Sequence, residues 1–207
     1  MVTQVVDGIA KTVFTLALSL ASLSLGLHLA TVIRPRCPAI PPPSRSIRFG
    51  LTALSILVYA ATFPAYFRLP SDYRHKATAA LLFAFPGTLT RYLLSLGLNP
   101  LLKMMPLGTF TANVVGTALL GMFHVFQSTP VPPSQNACGI LQGLSDGYCG
   151  CLTTVSTFAA ELEMLKELKA WFYAAISWVT GQLLLLVILG SSYWAGHVRK
   201  QVTCSFS

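Results

Sequence analysis

Gly147-Tyr148-Cys149-Gly150-Cys151-Leu152-Thr153-Thr154-Val155-Ser156-Thr157-Phe158-Ala159-Ala160-Glu161 lies in the middle of an apolar stretch from about residue 137 to residue 165. In hydrocarbon no water satisfies a freed backbone group, so broken helix at that depth is tolerated only inside protein or beside a wet cavity. Two nearby glycines, Gly147 and Gly150, remove the Cβ penalty for irregular dihedrals. Unwound carbonyls can then coordinate a cation, while the half-helix that follows offers N–H groups to an anion. A kink that only lets helices pack accounts for the same residues, and the run by itself leaves both readings open.

Working outward, the 207 residues are 54% apolar and 10% charged, with a mean hydropathy of +0.65. A soluble domain of that composition would leave too much hydrocarbon facing water, so the fold class is all-α, a polytopic membrane protein with about six transmembrane helices. The net charge of +8 points to nucleic acid only where basic residues form a patch. Here they sit between apolar runs and read as membrane-surface anchors, with the lipid bilayer as partner and no nucleic acid. Of five cysteines, Cys149 and Cys151 lie inside a span and no second pair has metal-ligand spacing, which gives neither a disulfide framework nor a zinc site.

The spans follow in order. Residues 12–33 are uncharged and too long for a signal-peptide core, and Ser22, Gly26 and Ala30 recur every fourth position, a face that lets membrane helices approach closely. The segment from Arg34 to Arg48 carries Pro35, Pro38 and Pro41-Pro42-Pro43 and reads as a basic surface linker. Residues 49–67 form a second span. Residues 77–98 form a third, with Pro86-Gly87 as a kink and Arg91 as a structural charge near enough to one end to snorkel. Residues 108–126 form a fourth, in which Thr109, Asn113 and Thr117 stack on one face beside the small residues Gly108, Ala112 and Gly116.

The fifth span holds the opening run. Before it, Gly139, Gly143 and Gly147 repeat every fourth residue; beyond it, Thr154, Thr157, Phe158 and Glu161 fall on one side of a helix, with Ser156 off that face. The sixth span covers residues 170–196, with Tyr173, Ser177 and Gly181 at four-residue spacing and Tyr193 and Trp194 suited to an interfacial belt. Lys and Arg divide seven to six between the two sides, too even for the positive-inside rule to set an orientation. Nothing in Cys149, His28 or His124 makes a catalytic triad or a metal signature, and no phosphate-binding loop occurs, so the chain reads as no enzyme.

Gly108-Thr109-x-x-x-Asn113-x-x-Gly116, followed by Gly150-x-x-Thr153-Thr154-x-Ser156-Thr157-Phe158-x-x-Glu161 and preceded by Gly87-Thr88-Leu89-Thr90-Arg91-Tyr92, resembles the fluoride channel family. Its bacterial members are called CrcB or Fluc, and its eukaryotic members are fluoride exporters, FEX. The resemblance implies four-helix units paired antiparallel, in eukaryotes two units joined through one extra helix, and it is strongest with the C-terminal part of such an exporter. On that basis residues 77–198 are one complete four-helix channel unit with a broken third helix, and residues 34–76 are the linker plus a linking transmembrane helix. Residues 1–33 are then the last helix of a truncated first unit, and 199–207 a tail. One linking span inverts the next unit, giving the inverted repeat of many transporters.

The resemblance further implies passive, fluoride-selective efflux across the plasma membrane, conferring fluoride resistance. Thr109, Asn113, Ser156, Thr157, Phe158, Glu161, Tyr173 and Ser177 match anion-pathway positions, and Gly150 and Thr153 match backbone carbonyls that hold a structural sodium ion. The partner is the missing N-terminal unit or an antiparallel dimer mate. Fluoride is the most strongly hydrated halide, and hydroxyls, amide N–H groups and aromatic ring edges are the donors that can replace its water. Val155 stands where the family has its first phenylalanine, and Gly181 where a serine continues the polar track. These departures suit the alternative, a non-conducting scaffold or degenerate half-channel subunit.

Overall fold

The computed structural model describes residues 2–34, 43–69, 78–131, 133–196, 198 and 202–204, with side chains from residue 8 onward. The proline-rich part of the linker (35–42), residues 70–77 and the Arg199-Lys200 anchor lie outside the described residues. All regular structure among the described residues is helical: α1 (Val2–Ile33), α2 (Arg45–Arg68), α3 (Ala79–Leu98), α4 (Leu107–Gln127), α5, α6 (Ser156–Met164) and α7. Helix α5 starts as Gln135–Gly143, widens to π-helical pitch over Leu144–Cys149 and ends at Gly150–Leu152. Helix α7 runs as Glu167–Leu185, then Leu186–Gly190 at π pitch, then Ser191–Trp194. Among the described residues five helices are long and apolar enough to cross a membrane; α5 and α6 follow one another between α4 and α7, the place of a sixth, broken crossing. The chain is an all-α, multi-pass membrane protein.

Polar caps mark the turns. Ser44 accepts from the Ile47 N–H and Ser134 from the Ala137 N–H, each at 3.4 Å. The side chain of Asn99, just past α3, accepts from the N–H groups of Gly108 (2.7 Å) and Thr109 (3.3 Å), satisfying two of the orphan donors at the start of α4. Its place after α3 thus fixes how α4 begins.

The bundle centres on the approach of α3 to α5. A side-chain carbon at Gly143 would fall 2.5 Å from the Ala79 Cβ; one at Gly147 would strike the Ala80 carbonyl, and one at Gly87 the Tyr148 carbonyl. Only glycine lets two backbones come so close, and without a hydrophobic drive between helices in lipid, such contact supplies the packing energy. The Tyr148 hydroxyl adds a bond to the Thr90 hydroxyl at 3.2 Å. Helix α4 packs by the same means: Gly108 sits over Ser95, Gly116 against the Thr153 methyl, and Gly121 against Leu185 and Ile188 of α7. Ala112 is fully buried.

The first two helices differ. Helix α2 buries no residue and is tied to α3 by the Tyr59 hydroxyl, which donates to the Leu82 carbonyl at 3.0 Å, and by the Tyr59 and Phe85 rings. Helix α1 packs on α6 through the half-buried face of Leu16, Ser19, Leu20 and Leu23. The expected close-packing face of Ser22, Gly26 and Ala30 is exposed instead, and nothing lies within 4 Å of a side-chain carbon built at Gly26. The small residues have the right spacing, but α6 meets the adjoining face.

A second correction concerns the cysteines. Cys138 at the start of α5 and Cys204 in the C-terminal tail form a disulfide, 66 residues apart, while Cys149 and Cys151 are free thiols. Spacing in the chain could not reveal the pair, because folding alone brings the tail back across the end of α4.

Candidate functional site

The crossing formed by α5 and α6 is interrupted between Leu152 and Ser156, where Thr153 adopts an extended conformation (φ −76°, ψ 152°). The break therefore lies beyond the glycines. Gly150 itself is helical (φ −61°, ψ −33°), and no described residue other than Gly196 has positive φ. A side-chain carbon at Gly150 would meet only the Ser145 carbonyl, at 3.9 Å. Neither special dihedrals nor close packing within the chain explains that glycine.

What holds the break open is Asn113 on α4. Its side-chain oxygen accepts from the Thr154 N–H at 2.8 Å, and its amide donates to the Thr154 carbonyl at 3.3 Å. In an unbroken helix the Thr154 N–H would go to the Gly150 carbonyl. The Thr157 N–H is diverted likewise, to the Thr154 hydroxyl at 3.3 Å, so Thr154 stands outside α6 and caps it rather than sharing its face. Among the described residues no backbone N–H donates to the carbonyls of Gly150 or Thr153. Freed carbonyls at this depth need another partner. They are the chemistry that suits a hard cation without protein charge.

Hydroxyls surround the start of α6. Thr154 Oγ1 lies 3.4 Å from Ser156 Oγ and donates to Thr157 Oγ1 at 3.2 Å, and the Ser156 and Thr157 side chains are exposed. A cavity of 430 Å³ opens between α1 and α6, lined by Leu18, Ser19, Ser22, Leu23 and Ser156. Val155 is 47% exposed, an aliphatic side chain at the position where the resemblance expects a ring.

In the second turn of α6, Glu161 joins three helices. One carboxylate oxygen accepts from the Thr109 hydroxyl of α4 at 2.6 Å, the other from the Tyr173 hydroxyl of α7 at 3.0 Å. Both donors are almost wholly buried. The Phe158 ring meets the Tyr173 ring edge-on, with centroids 4.9 Å apart. One turn further along α7, the Ser177 oxygen is buried without a hydrogen-bond partner among the described residues. The structure thus gathers Thr109, Glu161, Phe158 and Tyr173 into one contact group and Asn113, Thr154, Ser156 and Thr157 into another at the break. Arg91, half-buried on α3, joins neither.

Sequence reasoning passed over Asp146. It lies on α5 and accepts from the Gln142 amide at 2.8 Å, while the Gln142 oxygen accepts from Gln127 of α4 at 3.0 Å. A lone acid inside an apolar run is the signal that marked it.

Comparison with known proteins supplies the last evidence. The family model described as CrcB-like protein, Camphor Resistance (CrcB), matches residues 78–191, α3 through the start of the last turn of α7. Fluoride export protein 1 of Neurospora crassa is 36% identical over 201 residues, covering 90% of this chain and 38% of the fungal protein. Fluoride export protein 1 of Candida albicans is 43% identical over 125 residues, 57% of this chain and 32% of that protein. The fluoride-specific ion channel FluC of Escherichia coli is 33% identical over 110 residues, 52% of this chain and 83% of the bacterial protein. The chain thus spans 32–38% of these fungal relatives but most of the bacterial one. With the family model covering more than half of its length, the chain belongs to the CrcB family.

Proposed function

We propose that the chain supplies one half of a passive, fluoride-selective path through the plasma membrane, completed by a second unit of opposite orientation. The observation that carries this reading is the Ser177 hydroxyl, buried and unpartnered on the same helix as Tyr173. A buried donor without a partner costs about 1–3 kcal/mol, a cost that an anion passing beside it offsets. The exposed hydroxyls of Ser156 and Thr157 and the edge of Phe158 supply further donors of the kind a small hydrated anion needs. Asn113 holds Thr154 in place, and Thr109 and Tyr173 hold the Glu161 carboxylate. The fungal and bacterial relatives bear fluoride in their names, which supports fluoride as the ion.

The carbonyl of Gly150, released by the Asn113 bond, and that of Thr153, released by the bond from the Thr157 N–H to the Thr154 hydroxyl, would suit a structural sodium ion. When bound, such an ion supplies positive charge that offsets the exposed carbonyl dipoles and stiffens the break. The residues of the chain do the rest: Asn113 keeps Thr154 out of the helix, and Gly116 lets the Thr153 methyl pack against α4.

A second reading is favoured by Val155. Without a ring at that position the half lacks one electropositive edge, and the unit serves as scaffold for a path in its partner. Ion efflux separates the two. Liposomes carrying this chain paired with an inverted second unit are expected to release fluoride, measured with an ion-selective electrode, while retaining chloride. Release that is unchanged when Phe158→Ala and Ser156→Ala are combined in this half would assign it the scaffold role.

A further inference from the structure

The disulfide does more than staple the tail. Four crossings separate residue 78 from residue 196, so the start of α3, the α4–α5 turn and the C-terminal tail all lie on one membrane side. The turns at 99–106 and 165–166 lie on the other. The tail is docked on that first side by the backbone before any covalent bond is considered. The Gln127 carbonyl accepts from the N–H groups of Thr203 (2.9 Å) and Cys204 (3.3 Å), and the Thr203 hydroxyl donates to the carbonyls of Gln127 (3.0 Å) and Thr129 (2.9 Å). Val198 is 9% exposed and Cys138 1%. Docking brings the two cysteines to a Cα–Cα distance of 5.7 Å, inside the range a disulfide spans without moving backbone.

Protein disulfides form and persist in oxidising compartments, and the cytosol keeps thiols reduced. We infer that Cys138 and Cys204 are oxidised by a disulfide-bearing oxidant on the non-cytosolic side, and that this clasp fixes the chain with its tail outside and the α6–α7 turn in the cytosol. In the reaction the two thiols lose their protons and two electrons to the oxidant. One S–S bond forms between Cys138 and Cys204, and the oxidant's S–S bond becomes two thiols. The linker carrying Arg34, Arg45 and Arg48 then faces the cytosol with Lys103, Lys166 and Lys169, the side that holds the slight excess of positive charge. The clasp assigns a direction that the charge distribution alone does not. Placed on the proposed anion path, on which the orientation itself does not depend, Glu161 stands toward the cytosolic end and the Gln127–Gln142–Asp146 chain toward the outer end.

Two measurements on the whole protein expressed in a eukaryotic host test this. The first counts thiols by maleimide mass tagging of the denatured protein with and without reductant. Two extra tags after reduction, lost in the Cys138→Ser/Cys204→Ser double variant, are expected; an equal count in both samples overturns the bond. The second places an Asn-Ser-Thr glycosylation acceptor after residue 207 or, in a separate variant, within residues 36–42, each on a flexible spacer. A glycan on the tail acceptor alone, removed by endoglycosidase, is expected. A glycan on the linker acceptor, or none on the tail, overturns the orientation.

Discussion

Two stretches carry the same spacing of small residues and fold differently: Ser22-Gly26-Ala30 on α1 and Gly139-Gly143-Gly147 on α5. Gly143 and Gly147 of the α5 series are pressed against Ala79 and Ala80 so closely that no side-chain carbon fits, whereas Gly26 has open space around it. Helix α1 is the more apolar of the two, so hydropathy does not explain why its face is the one left open. What separates them is what stands opposite: α3 brings Ala79 and Ala80 against Gly143 and Gly147, while α6 meets the adjoining face of α1 and leaves Gly26 open. A small-residue face is thus permission for contact, and contact occurs only where another helix stands opposite that face.

The comparison breaks most readily at Gly147. Gly147→Leu drives a side chain into the Ala80 backbone and is expected to cost about 3 kcal/mol or more, seen as lost monodispersity in detergent and a sharply lower Tm. Gly26→Leu is expected to leave both unchanged. A tolerated Gly147→Leu would mean that the two faces do not differ in kind.

Asn113→Asp comes next. Aspartate still accepts from the Thr154 N–H but sets an oxygen against the Thr154 carbonyl, and losing one buried bond of this kind costs about 1–3 kcal/mol. The bond that frees the Gly150 carbonyl is kept, so a sodium effect should survive. Parent and variant alike are expected to melt roughly 5 °C higher in sodium chloride than in choline chloride. A parent indifferent to sodium would remove the cation from the Gly150 and Thr153 carbonyls.

A smaller effect is expected where α2 is held to α3. Tyr59→Phe removes one hydrogen bond, worth about 0.5–1.5 kcal/mol, and since α2 buries no residue the α3–α7 bundle should keep its Tm. Protease sensitivity at the α2 ends should rise instead. A fall in the bundle's own Tm would show that α2 is part of its core.

The sequence carried the long apolar spans, the polar face of Thr109 and Asn113 and the glycine faces of α4 and α5, because each is a periodicity within one helix. It placed the break in the right run but assigned its cause to Gly147 and Gly150, which look like natural points of rupture. The true one at Thr153 is set by a bond from Asn113, 41 residues away. Thr109 and Tyr173 could each be singled out by residue type. Their convergence on opposite oxygens of Glu161 is a property of three packed helices. Cys138 and Cys204 were invisible for the same reason, and Ser22-Gly26-Ala30 misled because the pattern says nothing of what stands opposite.

On the proposed path, the polar side chains of α6 and α7 line the route of an anion and are not merely packing. Ser177 tests it most directly, because its buried oxygen makes no hydrogen bond among the described residues and its removal should cost the fold nothing. The measurement is fluoride efflux per folded molecule for Ser177→Ala, in the protein paired with its second unit. An unchanged or slightly higher Tm is expected, with efflux reduced roughly 10-fold, the order expected from losing a hydrogen bond to a charged group. Parent-level efflux from an equally stable Ser177→Ala protein would contradict it.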